Sequence, residues 1–170
     1  MVDRKPKQSA KPAIRLAVSV CCSAFVRADC FSNFGLAIAS YAEQLEQAGY
    51  KVEVIAAIPN AYKSGQVQES IFSWVVKGLH DRLDFSDLAF SIGHPACFRR
   101  LGFALIERLP CAASWSYGKV RKILPGDLPY ENVILLNGIN QVNDKATTPE
   151  DALAYVSEVI SEAMKTQGLV

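Results

Sequence analysis

The sequence predicts an α/β domain: a doubly wound, three-layer fold around a mostly parallel sheet with one antiparallel edge strand. Three observations carry this reading. Ile14–Phe25 begins as an apolar run and stops abruptly in small, polar and sulfur side chains. That is the pattern of a buried central strand whose carboxyl end opens onto a crevice. Next, an amphipathic helical stretch leads into a second apolar run at Lys51–Ile58, giving a right-handed βαβ unit with parallel strands. Finally, Ile71–Val76 is rich in β-branched and aromatic residues, and no helix fits between it and the second strand. It is therefore expected to pair antiparallel at the sheet edge, a helix over residues 66–79 being the alternative reading.

In chain order, residues 1–12 are polar, basic and contain two prolines, and are expected to form a flexible arm ahead of a single domain over 13–170. The first strand is expected at Ile14–Val20. Asn33 is a candidate cap for a helix over Gly35–Ala48, where Ile38, Tyr41, Ala42, Leu45 and Ala48 recur at three- and four-residue steps. Gly49 stands where a left-handed cap would end that helix. Turn signals at Pro59, Asn60, Ser64 and Gly65 separate the second strand from the third. Asp84 or Ser86 can cap a short helix over Asp87–Ile92, which Gly93-His94-Pro95 interrupts. A further helix over Ala96–Leu109 would place Phe98, Leu101, Leu105 and Leu109 on one face, and Pro110 ends it.

Residues 111–131 are the least regular part, a length of loop that is often functional. Asn132–Leu136 is another buried strand. Thr148-Pro149-Glu150-Asp151 supplies a cap, a first-turn proline and dipole-matched acids for a last helix with Leu153, Val156, Ile160 and Met164 inside.

The bulk properties of the 170 residues exclude several classes. Half are hydrophobic and 21% are charged, which is ordinary for a globular domain. A net charge of +1 creates no global field for nucleic acid or an anionic membrane. Five cysteines (Cys21, Cys22, Cys30, Cys97 and Cys111) without a C-x-x-C pair fit neither a disulfide framework nor a zinc ribbon, so reduced thiols in the cytoplasm are expected. No apolar run is long enough to cross a bilayer. The basic start and Leu16–Val26 resemble a signal peptide ending at Val26-Arg27-Ala28, but cleavage there would remove the best strand.

The element order resembles that of the von Willebrand factor A-like fold, and three local motifs strengthen the resemblance. Ala17-Val18-Ser19-Val20-Cys21-Cys22-Ser23 is similar to the family's Asp-x-Ser-x-Ser turn, with Ser19 in the aspartate's place, Cys21 in the first serine's, and Ser23 unchanged. Gly93-His94-Pro95 resembles its Gly-Thr-Pro element, with His94 replacing the threonine ligand. Val133–Gly138 resembles its Leu-Thr-Asp-Gly strand with one residue fewer, and Asn137 stands near the aspartate's position. Ile92–Arg100 is also similar to a group of phage and mobile-element proteins. The matched motifs imply a crevice at Ser19, Cys21, Ser23, His94 and Asn137, and Asn140 is expected as a further polar contact. Arg99 is expected at the rim, either reaching back to the crevice or on a solvated face paired with Glu107 or Asp81. The resemblance further implies protein binding in an assembly, with an AAA+ ATPase of the MoxR type as the candidate partner.

Both motif aspartates are missing, so a hard cation would find little charge to offset its dehydration; loss of the metal site is expected, with no cofactor. Asp29 could re-enter the site from the loop. Cys21, Cys22 and His94 define the alternatives: a soft-metal site, or a thiol nucleophile with an imidazole base. Against them, buried cysteines often serve as small hydrophobes, and His94 can serve simply as a hydrogen-bonding residue at a helix start. No glycine-rich phosphate loop occurs. A second function class is nucleic-acid association through the basic arm and Lys119, Arg121 and Lys122, with Trp115 and Tyr117 as stacking residues. Edge-to-edge pairing through the strand carrying Trp74 is the expected route to self-association.

Overall fold

A computed structural model describes residues 11–21, 26–64, 66–108, 119–137 and 145–169. Its sheet is built around β1 (Ala13–Ser19), which pairs in parallel with β2 (Lys51–Ser64) on one side and with β5 (Val133–Leu136) on the other. On the far edge of β2, β3 (Gln66–Lys77) runs antiparallel, giving the order β3-β2-β1-β5. A two-residue strand, β4 (Lys119–Val120), pairs antiparallel with Asn60 and Ala61 of β2. The chain is thus an α/β fold with a mixed sheet and an antiparallel edge.

Strands β2 and β3 extend well past the expected boundaries, because each supplies the other's ladder. Pro59 does not end β2, and its position explains why. The backbone groups of Ala57 face β1, since Val20 N–H donates to its carbonyl. Two residues on, Pro59 faces the same way but beyond the end of β1, so its missing N–H has no ladder partner to disappoint. Its carbonyl accepts instead from Cys21 Sγ at 3.5 Å.

Helix α1 (Ala28–Gln47) begins seven residues before the expected start at Gly35. Asn33 is accordingly not a cap. It lies within the helix and its amide donates to the Ala146 and Thr147 carbonyls, tying α1 to the start of the last helix. Ile38, Ala42 and Leu45 are buried as the periodicity required, Tyr41 is half-buried and Ala48 is exposed. Gly49 has φ +92°, the left-handed geometry that terminates the helix.

Asp84 caps α2 (Phe85–Gly93) by accepting from the Ser86 and Asp87 backbone N–H groups. Beyond Pro95, the expected α-helix is replaced by a π-helical turn (Cys97–Gly102) that continues into α3 (Phe103–Ile106). The wider turn re-aims the inner face. Phe98, Gly102 and Ile106 are buried, whereas Leu101 and Leu105, expected inside with Phe98, are 55% and 40% exposed. Leu109 lies outside the described residues. The last helix, α4 (Pro149–Thr166), is capped by Thr148 Oγ1 accepting from Asp151 N–H and buries Ala152, Val156, Ile160 and Met164; Leu153 is half-buried. Burying its Val, Ile and Met side chains contributes about 1.5–3 kcal/mol each.

The alternation along the strands sorts these elements into layers. Ile14, Leu16 and Val18 of β1 share one core with Val54 and Ile58 of β2, Leu136 of β5, and buried side chains from all four helices. The opposite face holds Ala17 and Ala57, covered by Ile123 and Leu128. Among the described residues every helix therefore packs against the same face, and the helical third layer expected for a doubly wound fold is not present. The irregular segment 121–132 occupies that side. Ile71, Val133 and Leu135 pack with it there.

Candidate functional site

The carboxyl ends of β1 and β5 and the turn after α2 form the region where the crevice was expected. Ser19 is buried there, as is Cys21, whose thiol is directed to the Pro59 carbonyl. Asn137 clasps the backbone of Ile123 from both sides: its Oδ1 accepts from Ile123 N–H at 2.7 Å and its Nδ2 donates to Ile123 O at 2.9 Å. This amide holds segment 121–132 against the sheet. It belongs to the loop-covered side, because Val133 and Leu135, at alternate positions on the same strand, pack there with Ile123.

His94 belongs to the helical side. Its Nδ1 accepts from Ala96 N–H at 3.1 Å, and its ring stacks on Phe90 with centroids 5.7 Å apart. It is exposed, and no hydrogen bond joins it to Cys21 or Asn137. The histidine thus starts the next helical segment, as an N-cap side chain does. Arg99 is exposed on the π-turn and does not return to the crevice in any hydrogen bond or ion pair among the described residues. Cys22, Ser23 and Asn140 lie outside the described residues, as do Trp115 and Tyr117. No group of three or more His, Cys, Asp or Glu among the described residues is arranged to hold a metal ion. Asp29 is directed to Arg27 and to its neighbour's N–H; the guanidinium holds its carboxyl below the usual range.

Three of the thiols fall among the described residues. Cys21, Cys30 and Cys97 are free and buried. Burial pushes the Cys30 and Cys97 thiols up, disfavouring the thiolate that attacks or ligates. Cys97 stands three residues after His94, with only a backbone hydrogen bond between them.

The basic patch expected around Lys119–Lys122 loses its central member. Arg121 forms a two-pronged ion pair with Asp127, at 2.6 and 3.2 Å, in a largely buried setting. Asp127 also accepts from Leu124 N–H, and the guanidinium together with this N–H holds its carboxyl well below the usual range. Arg121 therefore shapes the segment rather than facing solvent.

Two features were not legible in the sequence. One is an open groove of about 770 Å³ between residues 124–135 and Gln167, with Leu124, Pro129 and Tyr130 among its walls. It reaches the amino end of β5 at Val133, away from Asn137, and Glu131 is the one carboxylate among its described lining residues. The other is the outward face of the π-turn and α3, whose exposure depends on a change of helical pitch. Charge and hydropathy alone carried no signal for either.

No helix among the described residues is long and apolar enough to cross a membrane. Neither the curated proteins nor the solved structures contain a match to the chain. A family model matches residues 1–169. The chain belongs to the family described as a domain of unknown function, DUF7192.

Proposed function

We propose that the chain is a non-catalytic protein-binding and assembly module of von Willebrand A-like type whose metal site has been lost. One observation carries this reading: among the described residues, the side chains Cys21, Asn137 and His94 that a chemical centre would use are engaged in holding the fold. Cys21 is directed to the Pro59 carbonyl, Asn137 to both backbone groups of Ile123, and His94 Nδ1 to the Ala96 N–H. A ligand set or a nucleophile–base pair would have to break these contacts, each a net contribution of about 0.5–1.5 kcal/mol and costlier if left unmade. The strand order, with β1 between two parallel neighbours and β3 antiparallel at the edge, agrees with the von Willebrand A-like assignment. The loop layer over residues 121–132 departs from it. A protein partner follows from the same resemblance, an AAA+ ATPase of the MoxR type being the candidate.

The test is elemental analysis of tag-free protein purified without chelator, before and after incubation with Mg²⁺, Mn²⁺ or Zn²⁺. Metal well below one equivalent is expected, with no change in melting temperature. Stoichiometric metal that disappears in His94→Ala would refute the lost-site reading and make the crevice a chemical centre. Co-elution with a MoxR-type ATPase that survives high salt would support the partner assignment.

A further inference from the structure

We infer that the outward face of the π-turn and α3 is a docking surface for an acidic protein segment that also carries apolar side chains. This names the surface and the partner chemistry for the binding-module reading, and rests on it. Arg99, Arg100, Leu101, Ala104, Leu105, Glu107 and Arg108 are all exposed, so three cations stand against one carboxylate. Four-residue steps align Arg100 with Ala104 and Arg108, and Leu101 with Leu105, so cations and leucines lie side by side along the helix.

The arginines are not consumed by the fold. Among the described residues Arg99, Arg100 and Arg108 form no ion pair, whereas Arg15, Arg27 and Arg121 are each paired with a carboxylate. Arginine presents a planar fork that matches a carboxylate, so three unpaired guanidinium groups on one face complement a run of acids. Leu101 and Leu105 add apolar surface between them, more than half and two-fifths exposed. A phosphate backbone would leave these leucines without a partner, and among the described residues 99–108 no fully exposed aromatic ring is offered for bases to stack on. Two leucines on a segment anchored from beneath are also little apolar area to insert into a bilayer.

The platform is firm. Gly102 sits so close to the core that an added Cβ would lie 2.8 Å from Ile58 Cδ1. Phe98 packs edge-on against Phe103, and Ile106 is buried. The π-turn keeps Leu101 and Leu105 outside by placing Phe98, Gly102 and Ile106 inside. Such turns recur at functional sites in helical segments.

The experiment is an amide NMR titration of the full chain with a synthetic helical peptide of glutamates bearing leucines at four-residue spacing. Parallel titrations use a single-stranded oligonucleotide and phosphatidylserine vesicles. Expected are peptide-induced shifts concentrated on residues 99–108, and an affinity at least tenfold weaker for Arg100→Glu/Arg108→Glu. Leu101→Ser/Leu105→Ser should also weaken binding, and all these positions are exposed, so unchanged melting temperatures check the fold. Should the charge reversal unfold the chain, Arg100→Gln/Arg108→Gln replaces it. No peptide binding, shifts located elsewhere, or tighter arginine-dependent binding of the oligonucleotide or vesicles would overturn the inference. Peptide shifts mapping to the crevice would overturn it while leaving the binding-module reading intact. Metal at the crevice would refute the lost-site reading without touching this face.

Discussion

Lys77 is a charged side chain held in the interior, only 2% accessible. It ends the edge strand β3, and its Nζ donates to Val52 O at 2.8 Å and Gly78 O at 3.2 Å while meeting Glu46 Oε1 at 2.6 Å. One ammonium thus joins the last turn of α1 to β2 and to the exit of β3. Lys77→Ala removes three methylenes, about 0.8 kcal/mol each. It also leaves the Val52 carbonyl without this donor, at about 1–3 kcal/mol. Glu46, whose side chain is 29% exposed, can rehydrate and recover part of the loss. Release of the rotamer entropy of the ordered lysine stem, about 1.5–2 kcal/mol, offsets part of these terms. The expected total is about 3 kcal/mol, the lower end of the range for breaking a buried pair. Lys77→Met keeps most of the stem's packing and should cost about 1–2 kcal/mol. Glu46→Gln should cost less than about 1 kcal/mol. Urea unfolding measures all three. With a slope of about 2 kcal/mol/M, Lys77→Ala should lower the midpoint by about 1.5 M. An alanine variant within about 0.5 kcal/mol of the parent would refute the account. Equal losses for alanine and methionine would refute the share assigned to the stem.

Two further perturbations test other parts of the fold. Gly35→Ala would place a Cβ 2.5 Å from Gly93 Cα, forcing the backbones of α1 and α2 apart, whereas Gly93→Ala meets Gly35 Cα at 3.3 Å. Calorimetry should show a loss of about 2–3 kcal/mol for the first and less than about 1 kcal/mol for the second; equal effects would mean that the helices yield easily. The Asp127 carboxyl is held down in the folded state, so its stabilisation is present above the ordinary carboxylate pKa and is lost as pH falls through the depressed folded value. Asp127→Asn should therefore lower stability at neutral pH by about 1–3 kcal/mol and flatten the decline below about pH 4. An unchanged acid limb in urea midpoints would show that the Arg121 pair contributes nothing.

Local pattern was sufficient for much of the fold. Apolar runs located β1, β2, β3 and β5. Gly49 and the Thr148-Pro149 pair marked helix ends because left-handed φ and capping are properties of one or two residues. The antiparallel edge followed from the absence of room for a crossover helix. These features depend on interactions spanning a few residues, and they can be read along the chain.

Other features arise from partners distant in sequence. Pro59 can sit within a strand because β1 has already ended beside it. Asn33 leaves the capping role because Ala146 and Thr147 approach from more than a hundred residues away. The single helical face follows from segment 121–132 filling the other side, held by Asn137. Most consequential for the proposed docking surface is the turn at Cys97–Gly102. Composition and spacing predicted an ordinary helix with Leu101 and Leu105 buried, but the chain there is π-helical, with Gly102 against Ile58 and both leucines turned out beside the arginines. Residue types along the chain determined which side chains were candidates. Non-local packing selected those consumed by the fold and those left on its surface.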